Sequence, residues 1–430
     1  MRRLLLPAIM ACALFSADSA FAQFGLNFNG VGPVNRGMAG AATATPLDPI
    51  GAIHWNPATI SALPGNQMMF GVDGVLPVVE IQSSVGPFSG RSDSDNGWFA
   101  APSFGLVQHL NDSWTMGMGI MTVAGFGENF PGSGSNPVLF PADPGGAAPQ
   151  GFGNLFSEAA FIEIAPVLSL QMTENLSVGF GPTITLGRAQ ASPFPFVSPE
   201  DANANGTFSY PDGTHSRYHW GGGFQAGAYL TTDRCWNFGV SFKSPQWFED
   251  FTYQSVDSAG AQRDFKTKIE LPGIVSFGTS YTGMENLTVG ADLRYIAWSH
   301  TELFGDPATF TGGALNGLGW DSTWNLSLGA QYKLSDCLTV RAGYAYGPSP
   351  IDGSPESGLN VATPLILEHL VSFGTSMQIT PALAMHLAYS HGFENELNDS
   401  IQTAAGAVPG SSLTQKVSAH LLTAGFSASF

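Results

Sequence analysis

The sequence predicts an all-β fold, a 14-stranded antiparallel barrel that crosses a membrane with its strands, and three observations lead there. Apolar and small polar residues alternate with a period of two through most of the chain. The alternating segments are joined by connections of two sizes, tight turns and long excursions, in strict succession. Charged residues make up only 11% against 43% hydrophobic and 12% aromatic, and no segment reads as a long amphipathic helix.

Taken in order, the chain begins with an export leader. Arg2 and Arg3, the apolar run Leu4 to Phe15 and Ala20-Phe21-Ala22 supply its charged, apolar and cleavage parts, so residues 1–22 read as a signal peptide and Gln23 as the first mature residue. Beyond Gln23 no stretch of about 18 apolar residues remains, so the sequence offers no membrane-spanning helix. The formal charge is −18, one unit more negative without Arg2, Arg3 and Asp18, which argues against nucleic acid as a partner. Cys12 leaves with the leader. Cys235 and Cys337 sit in the turns "TTDRCW" and "LSDCLT"; the strands they start are about four apart, and neighbouring strands lie ~4.8 Å apart, which disfavours a bridge without closing the question.

Fourteen strands follow, near 66–79, 98–110, 113–126, 156–171, 175–190, 217–231, 235–244, 267–282, 286–300, 320–333, 337–347, 366–379, 382–391 and 416–430. In "NLSVGFGPTITLG", Leu176, Val178, Phe180, Ile184 and Leu186 share one face and Ser177, Gly179, Gly181, Thr183 and Thr185 the other. "SWTMGMGI" and "TWNLSLGAQY" repeat the pattern. The turns "ND", "TEN", "TDR", "GMEN", "SD" and "TPA" belong on one rim, and the excursions 127–155, 191–216 and 392–415 on the other. Strands of about ten residues span a tilted wall, and a closed barrel leaves no unpaired edge in hydrocarbon, so the oily face points outward. Trp98, Trp114, Trp220, Trp236, Trp298, Trp320 and Trp324 fall near strand ends, as aromatic girdles require. The last strand, "LLTAGFSASF", alternates to a terminal Phe430, a pattern similar to the signal that outer-membrane barrels present to their assembly machinery.

The segment "GLNFNGVGPVNRGMAGAATATPLDPIGAIHWNPATIS" resembles the hatch of the FadL/TodX family of outer-membrane transporters of hydrophobic compounds, which ends in an Asn-Pro-Ala box, here Asn56, Pro57 and Ala58. The resemblance continues through "GVSFKSPQWFEDF", "LPGIVSFGTSYTGMENLTVGADLRYIAWS" and "WDSTWNLSLGAQYKLSDCLTVRAGYAYGPSPIDGS". It implies a hatch over residues 23–62 and a barrel over 63–430, in the outer membrane of a Gram-negative bacterium. Side chains alone cannot fill the lumen of so wide a barrel, so a hatch has a place to sit. The resemblance also implies capture of a long-chain fatty acid or neutral hydrocarbon in a groove among the loops, passage to a lumenal pocket, and lateral exit through a kinked wall strand.

Five loop aromatics are the candidate groove: Phe194 and Phe196 in "SPFPFVSP", and Trp247, Phe248 and Phe251 in "SPQWFEDFTY". Self-packing of the loops is the competing reading. Leu139 and Phe140 are candidates for the same surface. Two residues are candidate polar contacts. Arg188 resembles an Arg at the outer end of the family's fifth strand, yet it shares the face of Ile184 and Leu186. It reaches the lumen only if Gly181-Pro182 makes a bulge, and otherwise contacts lipopolysaccharide at the interface. Arg294 falls on the lumenal face with Lys268 and Arg341; Asp292 and Glu270 are the expected partners of Arg294 and Lys268. Loop "TELFGDPATFTGGALNGLGW" carries no basic residue, which favours neutral ligands over acids.

An outer-membrane lipase and an open diffusion porin are the alternatives. No G-x-S-x-G occurs, and His215 and His219, four apart in a strand, would stand ~13 Å from each other, too far to share a metal. The expectation is therefore no catalytic residue, no metal and no cofactor. A porin would lack a hatch of this length. The expected partners are the hydrophobic ligand, outer-membrane lipid and lipopolysaccharide, and the assembly machinery, with the chain a monomer.

Overall fold

The computed structural model describes residues 25–141 and 151–430; the proposed leader, Gln23, Phe24 and residues 142–150 lie outside the described residues. Fourteen strands form the wall: β1 Gln67–Val85, β2 Phe99–His109, β3 Trp114–Phe130, β4 Leu155–Gln171, β5 Leu176–Ser192, β6 His219–Thr231, β7 Trp236–Lys243, β8 Ile274–Met284, β9 Leu287–Ile296, β10 Thr323–Lys333, β11 Leu338–Tyr346, β12 His369–Thr380, β13 Leu383–Asp399 and β14 Ser411–Ser429. Each lies antiparallel to the next. The barrel closes where β14 runs against β1, from Gln67 opposite Ser429 to Val85 opposite Ser411.

The strand count agrees with the sequence and several ends move. β1 does not stop at 79 but runs to Val85, turns at Gly86 with φ 55° and returns as Phe88–Asp93. β13 and β14 likewise extend each other beyond the expected limits of 391 and 416. β8 starts late, at Ile274, because Pro272 has no N–H for the ladder; Glu270 and Leu271 instead pair with Trp247 and Gln246.

The oily face does point outward. Phe180 and Ile184 of β5, Trp324 and Leu328 of β10, and Leu422 and Phe426 of β14 are exposed, while Ser177, Thr183, Thr185, Asn325, Ser327 and Thr423 on the alternate positions are buried. Trp98, Trp220, Trp236 and Trp324 are exposed near strand ends, as a girdle needs. Trp298 and Trp320 correct the expectation. They lie beyond the end of β9 and before the start of β10, where the connecting loop folds over the barrel mouth, and pack edge-on at 4.9 Å with Phe304 between the same loop turns.

The small inner face has a physical cause. Residues 25–62 lie inside the barrel, nearly all of them buried, as two short helices (α1 Pro33–Gly37, α2 Pro49–Trp55) and a 3-10 turn (Pro57–Ala62) joined by extended chain. Twelve of the fourteen strands place a glycine against this segment, so its backbone packs directly on the wall's backbone. A Cβ on Gly239 would stand 2.1 Å from the Thr43 carbonyl oxygen, and one on Gly227 2.1 Å from the Asn56 side chain. Any larger residue there evicts the segment.

Candidate functional site

The lumenal segment is fixed to the wall by three buried polar clusters. Arg36, 1% exposed, donates to Asp73 of β1 at 2.9 Å, to Asn29 at 3.2 Å, and lies over the Phe28 ring. On the opposite wall, Asp292 of β9 accepts from the N–H groups of Ala42 and Thr43 at 2.8 and 2.9 Å and from the Thr43 hydroxyl. Arg294 pairs with Asp292, donates to the Gly40 carbonyl at 2.7 Å and sits 3.6 Å over Trp55. Lys243 of β7 donates to Glu163 of β4 at 2.8 Å and stands 3.3 Å from His54 Nδ1. Each buried arginine, lysine and carboxylate of these three clusters thus has an opposite charge and further hydrogen bonds, the condition under which burial is tolerated.

Asn56 joins the helices to the wall. It ends α2 and caps the 3-10 turn, accepting from Ala58 N–H at 3.1 Å, and its Nδ2 donates to the carbonyls of Thr43 at 2.8 Å and of Ala228 in β6 at 3.0 Å. Pro57 starts the turn, where a missing N–H costs nothing.

The other end of the segment meets an interruption in the wall. β2 pairs with β3 only between Ser103 opposite Met121 and His109 opposite Thr115. Past Met121, β3 keeps its partner on β4 but slips register at Val123, a bulge. Leu26 and Phe28 lie against the β3 edge left open there: Phe28 N–H donates to Val123 O at 3.0 Å and Gly125 N–H to Leu26 O at 3.3 Å.

Toward the loop-rich rim the lumen holds a cavity of about 640 Å³, its mouth included. Phe126, Ala159, Phe161, Phe194, Phe196, Tyr253, Ile269, Leu303, Phe304, Leu315, Leu318 and Leu359 give it apolar walls, and among the described lining residues Glu158 is the one charged group, already paired with Arg188. The lining is that of a site for a small hydrophobic molecule.

The candidate residues separate. Phe194 and Phe196 line the cavity, with ring centroids 5.4 Å apart. Phe248 points inward and packs on Phe161 at 5.6 Å, and Phe251 packs behind it at 5.5 Å, fully buried. Trp247 is not brought to them: it pairs opposite Gly222 on the outer face of the wall and is 50% exposed, because successive residues of a strand point to opposite sides. Leu139 and Phe140 are buried, Phe140 against Phe88, and neither lines the cavity.

Arg188 stays on the outer face. The β5 register does not shift at Gly181-Pro182: the ladder to β6 is continuous there, and the ladder to β4 lapses between Ile184 and Phe180 but resumes in the same register, so no bulge turns Arg188 inward, and it pairs with Glu158 and stands 5.7 Å from the Tyr218 ring centre. Arg294 is committed to Asp292 and the segment, at the wall and not in the cavity. Lys268 pairs with Glu302 at 2.9 Å and not with Glu270. Arg341 donates to Ser376 at 2.6 Å. His219 accepts from Thr252 N–H at 2.9 Å while His215 is exposed, and both cysteines are free.

Sequence reasoning missed Tyr253 and the loop residues Leu303, Phe304, Leu315 and Leu318. The signal was present in "TELFGDPATFTGGALNGLGW", where apolar residues are more telling than the missing bases.

A closed barrel with an apolar outside, a polar inside filled by its own N-terminus, and an apolar cavity at the loop-rich rim defines an outer-membrane channel for small molecules. The family model described as outer membrane protein transport protein (OMPP1/FadL/TodX) matches residues 13–430, and the chain belongs to that family. It is 26% identical over 184 residues to outer membrane protein P1 of Haemophilus influenzae, an alignment covering 41% of this chain and 38% of that protein. Solved structures share the fold. The toluene transporter TodX of P. putida superposes with TM-score 0.67 at 18% identity, covering 94% of this chain and 99% of its own. A Pseudomonas aeruginosa FadL homologue gives 0.69 at 16% identity, covering 94% and 100%. The Ralstonia pickettii toluene transporter TbuX gives 0.61 at 18%, covering 92% and 98%.

Proposed function

We propose that the protein carries uncharged hydrophobic molecules across the outer membrane, taking them into the cavity at the loop-rich rim and releasing them sideways into the membrane. The observation that carries this reading is the cavity lining: mostly aromatic and aliphatic side chains, with no cation among the described lining residues and with Arg188, Lys243 and Lys268 each held by a carboxylate. A fatty acid would enter without a partner for its carboxylate, and an unpaired charge in an apolar site is costly. Two solved relatives are named toluene transporters, which agrees with a ligand of this kind.

The interruption between β2 and β3 supports a lateral route. On the side that faces β2, Leu26 and Phe28 supply the backbone hydrogen bonds to β3 at its bulge, with Ser94 to Asn96 bonded to the same edge further on at Gly127 and Asn129, so displacing the first residues of the hatch opens the wall there while β3 stays paired with β4. The rest of the hatch, held by three ionic clusters and the glycine contacts, keeps the axial route shut. The test is uptake by cells lacking other hydrocarbon channels. Expression of the chain should raise entry of labelled toluene, and an equal concentration of a long-chain fatty acid should not compete. Equal competition by the acid refutes the neutral-ligand reading.

A further inference from the structure

Tyr253 stands in the cavity wall with its polar atom unused. Its short strand, Phe251–Tyr253, pairs with Phe265–Thr267, and its ring packs in a triangle with Phe194 at 4.7 Å and Phe265 stacked at 4.9 Å. The side chain is 1% exposed, and its hydroxyl meets no hydrogen-bond partner among the described residues. The other polar side chains of the lining are committed. Ser157 donates to the Ala362 carbonyl, Gln190 to the Thr214 carbonyl, Thr363 to Asn360 at 3.1 Å, and Glu158 accepts from Arg188. The nearby Tyr210 shows the usual arrangement, its hydroxyl donating to Gly313 O at 2.8 Å.

A buried O–H without an acceptor destabilises the site that holds it, and a phenylalanine would fill the same volume without that penalty. The hydroxyl becomes favourable when a ligand supplies the acceptor. Building on the transport of neutral molecules proposed above, we infer that the cavity prefers neutral aromatic molecules bearing one oxygen acceptor, such as an aryl ketone, which accepts a hydrogen bond from the Tyr253 hydroxyl. Phe194, Phe196 and Phe161 take the ring; Tyr253 reads the oxygen. A pure hydrocarbon of the same shape fits but leaves the hydroxyl unpaired, and such a difference decides selectivity in buried sites.

The test uses acetophenone and α-methylstyrene, which differ by C=O against C=CH₂ at nearly constant shape. Binding to the purified full-length protein is measured by equilibrium dialysis, each corrected for partition into detergent alone. The wild type should bind acetophenone roughly tenfold more tightly than α-methylstyrene. Tyr253→Phe should remove the difference by loosening acetophenone, and continued binding of α-methylstyrene by the variant shows that the cavity is intact. Ala362→Phe, filling the cavity, should abolish both. Equal wild-type affinities, or a preference that survives Tyr253→Phe, overturns the inference. If α-methylstyrene still binds and Ala362→Phe still abolishes it, the transport reading survives that failure. If neither compound binds the wild type, both fall.

Discussion

Asn56→Ala removes the side chain that ties the hatch to itself and to the wall. Three hydrogen bonds go: two donated by Nδ2, to Thr43 O at 2.8 Å and Ala228 O at 3.0 Å, and one accepted from Ala58 N–H at 3.1 Å. At about 1 kcal/mol net per bond the loss is about 3 kcal/mol, and the partners left unpaired in a fully buried place work in the same direction. The wall ladder is untouched, so the loss falls on the seating of the hatch and shifts its displaced-to-seated ratio by roughly a hundredfold. Asn56→Asp is the matched control: it keeps volume and acceptor but replaces both donated bonds by a carboxylate facing two carbonyl oxygens, and its effect should be at least as large. The assay is conductance in planar bilayers, with heat-modified electrophoretic mobility confirming a closed barrel. Both variants should raise the open fraction for small ions. An open fraction equal to the wild type, in an intact barrel, refutes the idea that this residue holds the hatch.

Asp73→Ala leaves Arg36 buried without its carboxylate, at a cost of about 3–5 kcal/mol, and should also raise leak in the bilayer assay; Arg36→Met with Asp73→Leu should restore much of the seal. Gly239→Val places a side chain where the Thr43 carbonyl stands 2.1 Å from an ideal Cβ, so hatch seating should fail, read as greater protease sensitivity of residues 25–62. Phe194→Ala removes a ring packed on three others and should lower toluene uptake several-fold while the barrel keeps its heat-modified mobility. In the loop above the wall, the hydrogen bond from Arg217, followed by that from Trp220 N–H, holds the Glu249 carboxyl down at about 2. A lowered carboxylate adds order above its ordinary value of 4.5 and loses it as pH falls through about 2, so the protection of the Trp220 amide, its exchange rate taken against the intrinsic rate at each pH, should hold from neutral pH to about 5 and fall only below that range.

The wall was legible because its physics is local. Period-two alternation and turn length read off strands such as "NLSVGFGPTITLG" directly, and the inward glycines were already visible as the small face. What alternation cannot carry is the end of a strand. β1 and β13 run on past their oily stretches because the loops above them continue the pairing, a tertiary choice. The cavity was half legible. Phe194 and Phe196 stood out as aromatics in a loop, but Trp247 was grouped with Phe248 by proximity in sequence, where a single step along a strand reverses the side that a residue faces. The Arg294–Asp292 pair followed from parity; Arg36–Asp73 did not, since nothing in the sequence places residue 36 opposite residue 73.

The glycine contacts of the inner wall carry a consequence for the cell. Because twelve wall strands carry a glycine at the level of the hatch, the proposed function puts the barrier against detergents and hydrophilic drugs in a few dozen residues of a single N-terminal segment and not in a constriction of the wall. On that reading, a chain whose hatch fails to seat should be a puncture in the permeability barrier, more harmful than a chain that is missing.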